Sequence, residues 1–232
     1  MLILALESSG ETASAAVVTE GKVLSEINAA NGKTHSETLL PTIDFLLKTT
    51  GVTLADVDFV ALGAGPGSFT GLRIGAAAAK AICHGAGKRL IPVPSLDALA
   101  MNLSGRPGYI AAPVMDARRG QVYACLYDVG GDGITRLTEP SAEDLEEVLA
   151  RAAGYDKKVI FNGDGSNAFY DRITAYDDGF MVATEHSRLQ RAASVGLLAL
   201  TRTADAVDYL QNPVIYLRKP QAERMYDESH AE

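Results

Sequence analysis

The window Gly63-Ala64-Gly65-Pro66-Gly67-Ser68-Phe69-Thr70-Gly71-Leu72-Arg73-Ile74-Gly75 concentrates six glycines or prolines between an apolar run, Val57 to Leu62, and an alanine-rich stretch from about Leu72 to His84. That composition predicts a tight strand-to-helix turn. Such a turn aims several backbone N–H groups and the positive end of a helix in one direction, which suits a phosphate or a carboxylate. No Gly-Lys-Ser/Thr follows at the spacing of a Walker A loop. Ser68 stands where a dinucleotide fingerprint needs its third glycine. Gly65 and Gly67 equally serve a purely structural turn, with Ser68 or Thr70 capping the helix. Arg73, one turn in, is either an anion contact or a solvated charge.

A second polar cluster, Glu7-Ser8-Ser9-Gly10, follows the first apolar run. Actin-, hexokinase- and Hsp70-like ATPases carry an acidic residue with glycine and Ser/Thr at this place. There the acid helps hold hydrated magnesium and the loop cradles phosphate. Glu7 reaches one methylene further than Asp, and Ser9 takes the usual glycine position. The expectation is a degenerate phosphate loop, with Glu7, Ser9, Gly65, Gly67 and Ser68 as a vestigial nucleotide-binding set.

Catalytic machinery of the common kinds is missing from the sequence. His35, His84, His186 and His230 offer no pair at metal-binding spacing and no HExxH, so no metal site is expected. There is no GxSxG elbow, and the N-terminal serines have no evident histidine partner. Asp116-Ala117-Arg118-Arg119-Gly120-Gln121-Val122-Tyr123 reads as a polar hairpin. It is either a solvated turn or a contact to RNA or a partner.

These groups must be positioned by a chain of 232 residues that is 47% hydrophobic, enough for one large domain or two small lobes. The formal net charge of -8 argues against autonomous nucleic-acid binding, since phosphate neutralisation needs clustered Lys and Arg. Cys83 and Cys125 form no CxxC and no disulfide framework, which points to a reducing cytoplasm. Met1 to Leu6 lacks a basic region and meets Glu7 early, so no signal peptide is expected. No run approaches ~18 apolar residues, so no spanning helix is expected.

The first lobe reads as strands over Leu2–Leu6, Thr12–Val18 and Lys22–Asn28, then a helix opened by a Thr34/Glu37 capping box. That helix carries Leu39, Ile43 and Leu46 on one stripe, with Leu40 and Leu47 beside it and a kink or shifted cap at Pro41. Strands at Val57–Leu62 and Arg89–Pro92 and a helix from Ser95 to Met101 complete a ribonuclease-H-like order. Ser104 to Gly108 is linker-like, dividing residues 1–105 from a smaller lobe at 106–232. In that lobe strands are expected at Tyr109–Met115, Gln121–Tyr127 and Lys157–Phe161. Helices are expected over Ser141–Ala153, capped by Ser141, and about Ala192 to Thr203, closing the lobe. Asn212 to Arg218 reads as an extended tail and Met225 onward as frayed.

Five segments, Ile3 to Ser9, His35 to Pro41, Gly63 to Gly75, Asp116 to Arg118 and Tyr216 to Gln221, together resemble the TsaB (YeaZ) family, in family order and over nearly the whole chain. The Gly-Pro-Gly-Ser-Phe-Thr-Gly-Leu-Arg core is the specific part. Glu7 departs from the family's usual Asp. The resemblance implies an α/β two-lobe fold of the actin/Hsp70/sugar-kinase-like (ribonuclease-H-like) type with a reduced second lobe. It also implies a non-catalytic subunit of the bacterial complex that installs threonylcarbamoyl on the tRNA adenosine next to the anticodon. In that family the catalytic paralogue TsaD is the dimer partner, a small ATPase, TsaE, joins, and tRNA is reached through the complex.

On this reading His35, Leu39, Ile43, Leu46, Arg73, Ala76, Ala77 and Lys80 face the paralogue in a four-helix interface. No nucleotide is expected on the lone chain, ATP or ADP being placed at the complex interface, and without its partner the chain is either a homodimer or a monomer. The competing readings are an independent ATPase or small-molecule kinase, with Glu7 and the glycine turn as its site, and, last, a peptidase.

Overall fold

A computed structural model describes residues 1–218. The end of the last motif (Lys219, Pro220, Gln221) and the segment from Met225 lie outside the described residues.

Apolar period-two runs build the first sheet from β1 (Leu2–Glu7), β2 (Ala13–Thr19), β3 (Lys22–Ala29), β4 (Phe59–Gly63) and β5 (Arg89–Val93). Its order is β3-β2-β1-β4-β5, with β1, β2 and β3 antiparallel and β1, β4 and β5 parallel. The helices α1 (His35–Thr50), α2 (Phe69–Ala86) and α3 (Ser95–Met101) fill the connections. The Glu37 carboxylate accepts the Thr34 hydroxyl at 2.7 Å and its N–H at 3.3 Å, which starts α1 where the Thr/Glu spacing predicted. Gly51 ends it in the left-handed conformation, and Pro41 is accommodated within the helix. The second helix starts three residues earlier than its apolar content suggested, because Ser68 caps it by accepting the Gly71 N–H.

The second sheet repeats the same plan. It comprises β6 (Tyr109–Asp116), β7 (Gln121–Ala124), β8 (Tyr127–Asp128), β9 (Thr135–Arg136), β10 (Ser141–Asp144), β11 (Lys158–Asn162) and β12 (Phe180–Val182). The order is β10-β7-β6-β11-β12, with β8 on β6 and β9 on β8. Four helices accompany it: α4 (Leu145–Ala153), α5 (Asp164–Ala168), α6 (Tyr170–Thr174) and α7 (Glu185–Arg188). A last helix, α8 (Ala192–Leu200), precedes the carboxyl-terminal segment.

Three expectations need correction. Ser141 does not cap a helix: Ser141–Asp144 pairs antiparallel with Ala124–Gln121, and Asp144 is the N-cap of α4. The strand expected over Gln121–Tyr127 is broken at Cys125 and Leu126. The helix expected to close the second lobe instead packs on the first sheet. Its Ala192, Val195 and Ala199 join Ile3, Ala5, Ala16 and Val18 in one buried cluster. A Cβ on Gly196 would overlap Val18, so the helix axis lies close against the strands.

The first sheet is thus covered on one face by α1 and α2 and on the other by α8. Between the sheets lies α3, buried from Ser95 to Ala100. Its Asp97, 1% exposed, accepts from Tyr127 Oη at 2.7 Å, Arg136 Nε at 2.9 Å and Arg202 at 2.7 Å. Those donors come from β8, from β9 and from the segment after α8, so one carboxylate ties both sheets together.

Candidate functional site: a closed loop and an open helical groove

The glycine turn does not face an open phosphate site; it is pressed against the Glu7 loop. Ser68 N–H donates to the Ser9 carbonyl at 2.7 Å, and the Ser8 hydroxyl donates to the Gly71 carbonyl at 2.9 Å. A Cβ on Gly67 would overlap the Ser9 carbonyl, one on Gly71 that of Ser8, and one on Gly75 the Ser8 hydroxyl. One on Gly63 would overlap the Glu7 carboxylate. Four of the glycines therefore exist for close approach. Glu7, Ser8 and Ser9 are 0% exposed.

Burial pushes the Glu7 carboxyl above its ordinary range, opposed by hydrogen bonds from Ser9, whose N–H lies 2.6 Å from it. Among the described residues the other carboxylate oxygen has no hydrogen-bond partner. Sealed at 0% exposure, the carboxylate has no open side from which to reach a hydrated magnesium ion.

Beside the loop, between the sheets, lies a cleft of about 460 Å³ lined by Ser9, Gly10, Glu11, Ser68, Phe69, Asp116, Arg118 and Asp164 among others. Asp164 is pushed up to about 6 by burial and by the charges of Glu11 and Asp116. Its walls are acidic, which opposes a bare polyphosphate. Among the described residues no group of three or more His, Cys, Asp or Glu is placed to hold a metal ion.

Of the vestigial nucleotide set, Ser9, Gly67 and Ser68 border this cleft while Glu7 is sealed behind it. Gly65 lies under the carboxyl-terminal segment: a Cβ there would stand 2.5 Å from the Ile215 carbonyl, and Ile215 N–H donates to the Ala64 carbonyl at 2.7 Å.

The residues expected to face a partner divide sharply. Leu39 (1% exposed), Ile43 (4%) and Leu46 (0%) are committed to the chain's own core with Leu4, Leu6 and Val17, and Ala76 is buried with them. That stripe is corrected to core, because its periodicity is satisfied by the sheet beneath. His35 is half-buried and its Nε2 donates to the Gly10 carbonyl at 2.8 Å, joining α1 to the Glu7 loop. Arg73 is exposed and stacks over Phe69 at 3.7 Å. Ala77 is exposed and Lys80 half-buried.

Ala77 lines an apolar groove of about 580 Å³ between α1 and α2, with His35, Leu40, Leu54, Ile74, Ala81 and Ile82. Leu40 is 55% exposed, and Phe45 on the outer side of α1 is 61% exposed. A side chain the size of Leu40 is normally covered when it borders an apolar groove. Leu40 and Phe45 escaped the helical stripe because they fall out of phase with it; that mismatch was the available signal.

A protein-family profile described as "TsaD: tRNA N6-adenosine threonylcarbamoyltransferase" matches residues 22–226. The chain is 30% identical over 232 residues to the tRNA threonylcarbamoyladenosine biosynthesis protein TsaB of Bacillus subtilis (strain 168), covering 99% of each. The chain belongs to the TsaB (YeaZ) family. The Escherichia coli (strain K12) TsaB is 34% identical over 167 residues, covering 71% of this chain and 69% of its own. YeaZ from Pseudomonas aeruginosa superposes with a TM-score of 0.79 at 26% identity, covering 93% of this chain and 99% of that one.

The fold is accordingly the two-lobe actin-like one that the TsaB resemblance implied. No helix among the described residues is long and apolar enough to cross a membrane.

Proposed function

We propose that the chain is a non-catalytic, activating subunit in the threonylcarbamoylation of the tRNA adenosine next to the anticodon, acting by dimerising with a TsaD-like catalytic paralogue. The observation that carries this reading is the open apolar groove between α1 and α2, with Leu40 exposed in its lining. Small side chains at Ala77, Ala78 and Ala81 let a partner helix approach its floor closely. Closure of the Glu7 loop by the glycine turn supports a supporting role over turnover by this chain alone.

In the same reading a TsaE-like ATPase joins the pair, tRNA is engaged through the assembly, and ATP or ADP sits at a subunit interface. The whole operates in the cytoplasm, and without the paralogue the groove pairs two copies of this chain. The alternative, an independent ATPase or small-molecule kinase, requires ATP turnover by the isolated chain that is lost in Glu7→Ala.

The test is tRNA threonylcarbamoylation reconstituted from purified components with and without this chain. Omission should abolish product formation. Undiminished product on omission would end the proposal.

A further inference from the structure

The β6–β7 hairpin carries backbone strain that its local role does not require. Arg118 and Arg119 both adopt positive φ, 68° and 59°. The Gln121 N–H donates to the Arg118 carbonyl at 3.3 Å, so Arg119 and Gly120 (φ 79°) are the central pair of the turn. Gly120 is at home there, whereas each of the two arginines costs conformational energy at positive φ. Strain of this kind is retained where the side chains have a task.

Both side chains project into solvent. Arg118 is 88% exposed and meets Asp116 only at 3.6 Å, and Arg119 makes no ion pair with any described residue. The surroundings reinforce them. Arg218 reaches across to donate to the Ala117 carbonyl at 3.1 Å. Phe69 borders the same cleft as Arg118, and its ring contacts both the Arg73 guanidinium and the Tyr216 ring, the latter 5.5 Å away and 40% exposed. On a chain whose overall charge is -8, Arg118 thus lines the cleft, Arg119 follows it at the hairpin tip, Arg218 is bonded to the same hairpin, and Arg73 stacks on Phe69 of the cleft wall.

We infer that the rim of this cleft, with Arg118 and Arg119 at the hairpin tip, is where the chain touches RNA phosphates in the assembled tRNA-modifying complex. The inference rests on the proposed function above. The cleft walls behind this rim, Glu11, Asp116 and Asp164, repel a polyanion, so the contact is confined to the outward-facing guanidiniums and is local and orienting, made through about two phosphates. Tyr216 and Phe69 add a face on which an unpaired base stacks.

The test uses the complex of this chain with its catalytic paralogue and a fluorescein-labelled, unmodified tRNA transcript. Binding is followed by fluorescence anisotropy between about 50 and about 300 mM salt, a range over which phosphate contacts weaken steeply. The variant is Arg118→Asn combined with Arg119→Asn. Asparagine tolerates the left-handed conformation at both positions, and an asparagine directly before Gly120 gives the turn its preferred central pair, which keeps the fold. Affinity at low salt should fall about tenfold, and the log–log salt slope should flatten by about 1.5, as expected for two lost phosphates. The melting temperature and the affinity for the paralogue should not fall.

Wild-type affinity and slope in the variant would overturn the RNA contact. Weakened paralogue binding would equally overturn it, reassigning the hairpin to a protein interface. Neither result touches the parent reading, which the omission experiment tests by itself.

Discussion

Gly67 and Ser9 approach so closely that a methyl added on Gly67 would stand 2.3 Å from the Ser9 carbonyl oxygen, which already accepts the Ser68 N–H at 2.7 Å. The glycine turn is therefore a lid sealed onto the Glu7 loop, a strand-to-helix connection whose polar groups are spent on its own neighbour. What the lid leaves free is the helix behind it, and that helix forms one wall of the apolar groove.

Gly71 sits in the first turn of α2, and a Cβ there would overlap the Ser8 carbonyl. Gly71→Ala should destabilise the chain by about 1–3 kcal/mol, the range for forcing a methyl into packed surroundings. Gly85 near the other end of the same helix has open space around its Cβ position. Gly85→Ala should stabilise by about 0.5–1 kcal/mol through helix propensity. Urea unfolding of the two variants checks the opposite signs.

Asp97 is the common acceptor for Tyr127, Arg136 and Arg202 across the two sheets. Asp97→Ala removes the acceptor and leaves their donors facing a buried gap, so the loss should be about 3 kcal/mol or more. Chemical denaturation measures it. A loss below about 1 kcal/mol, the worth of an exposed pair, would show that water replaces the carboxylate.

Glu7 and Asp164 both have carboxyls raised above their ordinary range by burial, Asp164 to about 6. For a raised carboxyl the protonated form is the one the fold favours. Its contribution is full below the unfolded value and is lost as pH rises through the folded one. For Asp164 that window runs from 3.8 to about 6. Glu7→Gln keeps the shape without the charge, so its advantage over wild type should grow as pH rises from 4.5. Thermal melts of both proteins across pH 4 to pH 8 read this directly; parallel curves would contradict it.

Much of this arrangement was legible from local chemistry. Thr34 and Glu37 announced the start of α1, and the glycine-rich window announced a tight turn, because capping and close approach depend on neighbours in the chain. Ser141 misled because a Ser-x-x-Asp spacing looks the same before a helix as in an edge strand, and only pairing with Ala124 distinguishes them. Nothing within α8 says which sheet it covers; that is settled by Val18 and Ala5 from the far end of the chain. The stripe of Leu39, Ile43 and Leu46 was visible, but periodicity reports that a face is buried and not by what. The exposed apolar side chains had to be found by subtraction, as residues such as Leu40 and Phe45 left over once the core was complete. The Asp97 junction joins residues 30 to 105 positions apart and leaves no local trace.

Ala77 is the residue on which the central claim turns, since it is exposed, small and set in the groove between α1 and α2. Ala77→Arg should fold with a stability within about 0.5 kcal/mol of wild type, as a surface substitution does. By contrast Leu46→Ala, in the core, should lose about 2–5 kcal/mol. The decisive measurement is calorimetric titration of folded Ala77→Arg into the purified catalytic paralogue. The groove reading predicts that binding is abolished, whereas wild-type affinity in the folded variant would contradict it.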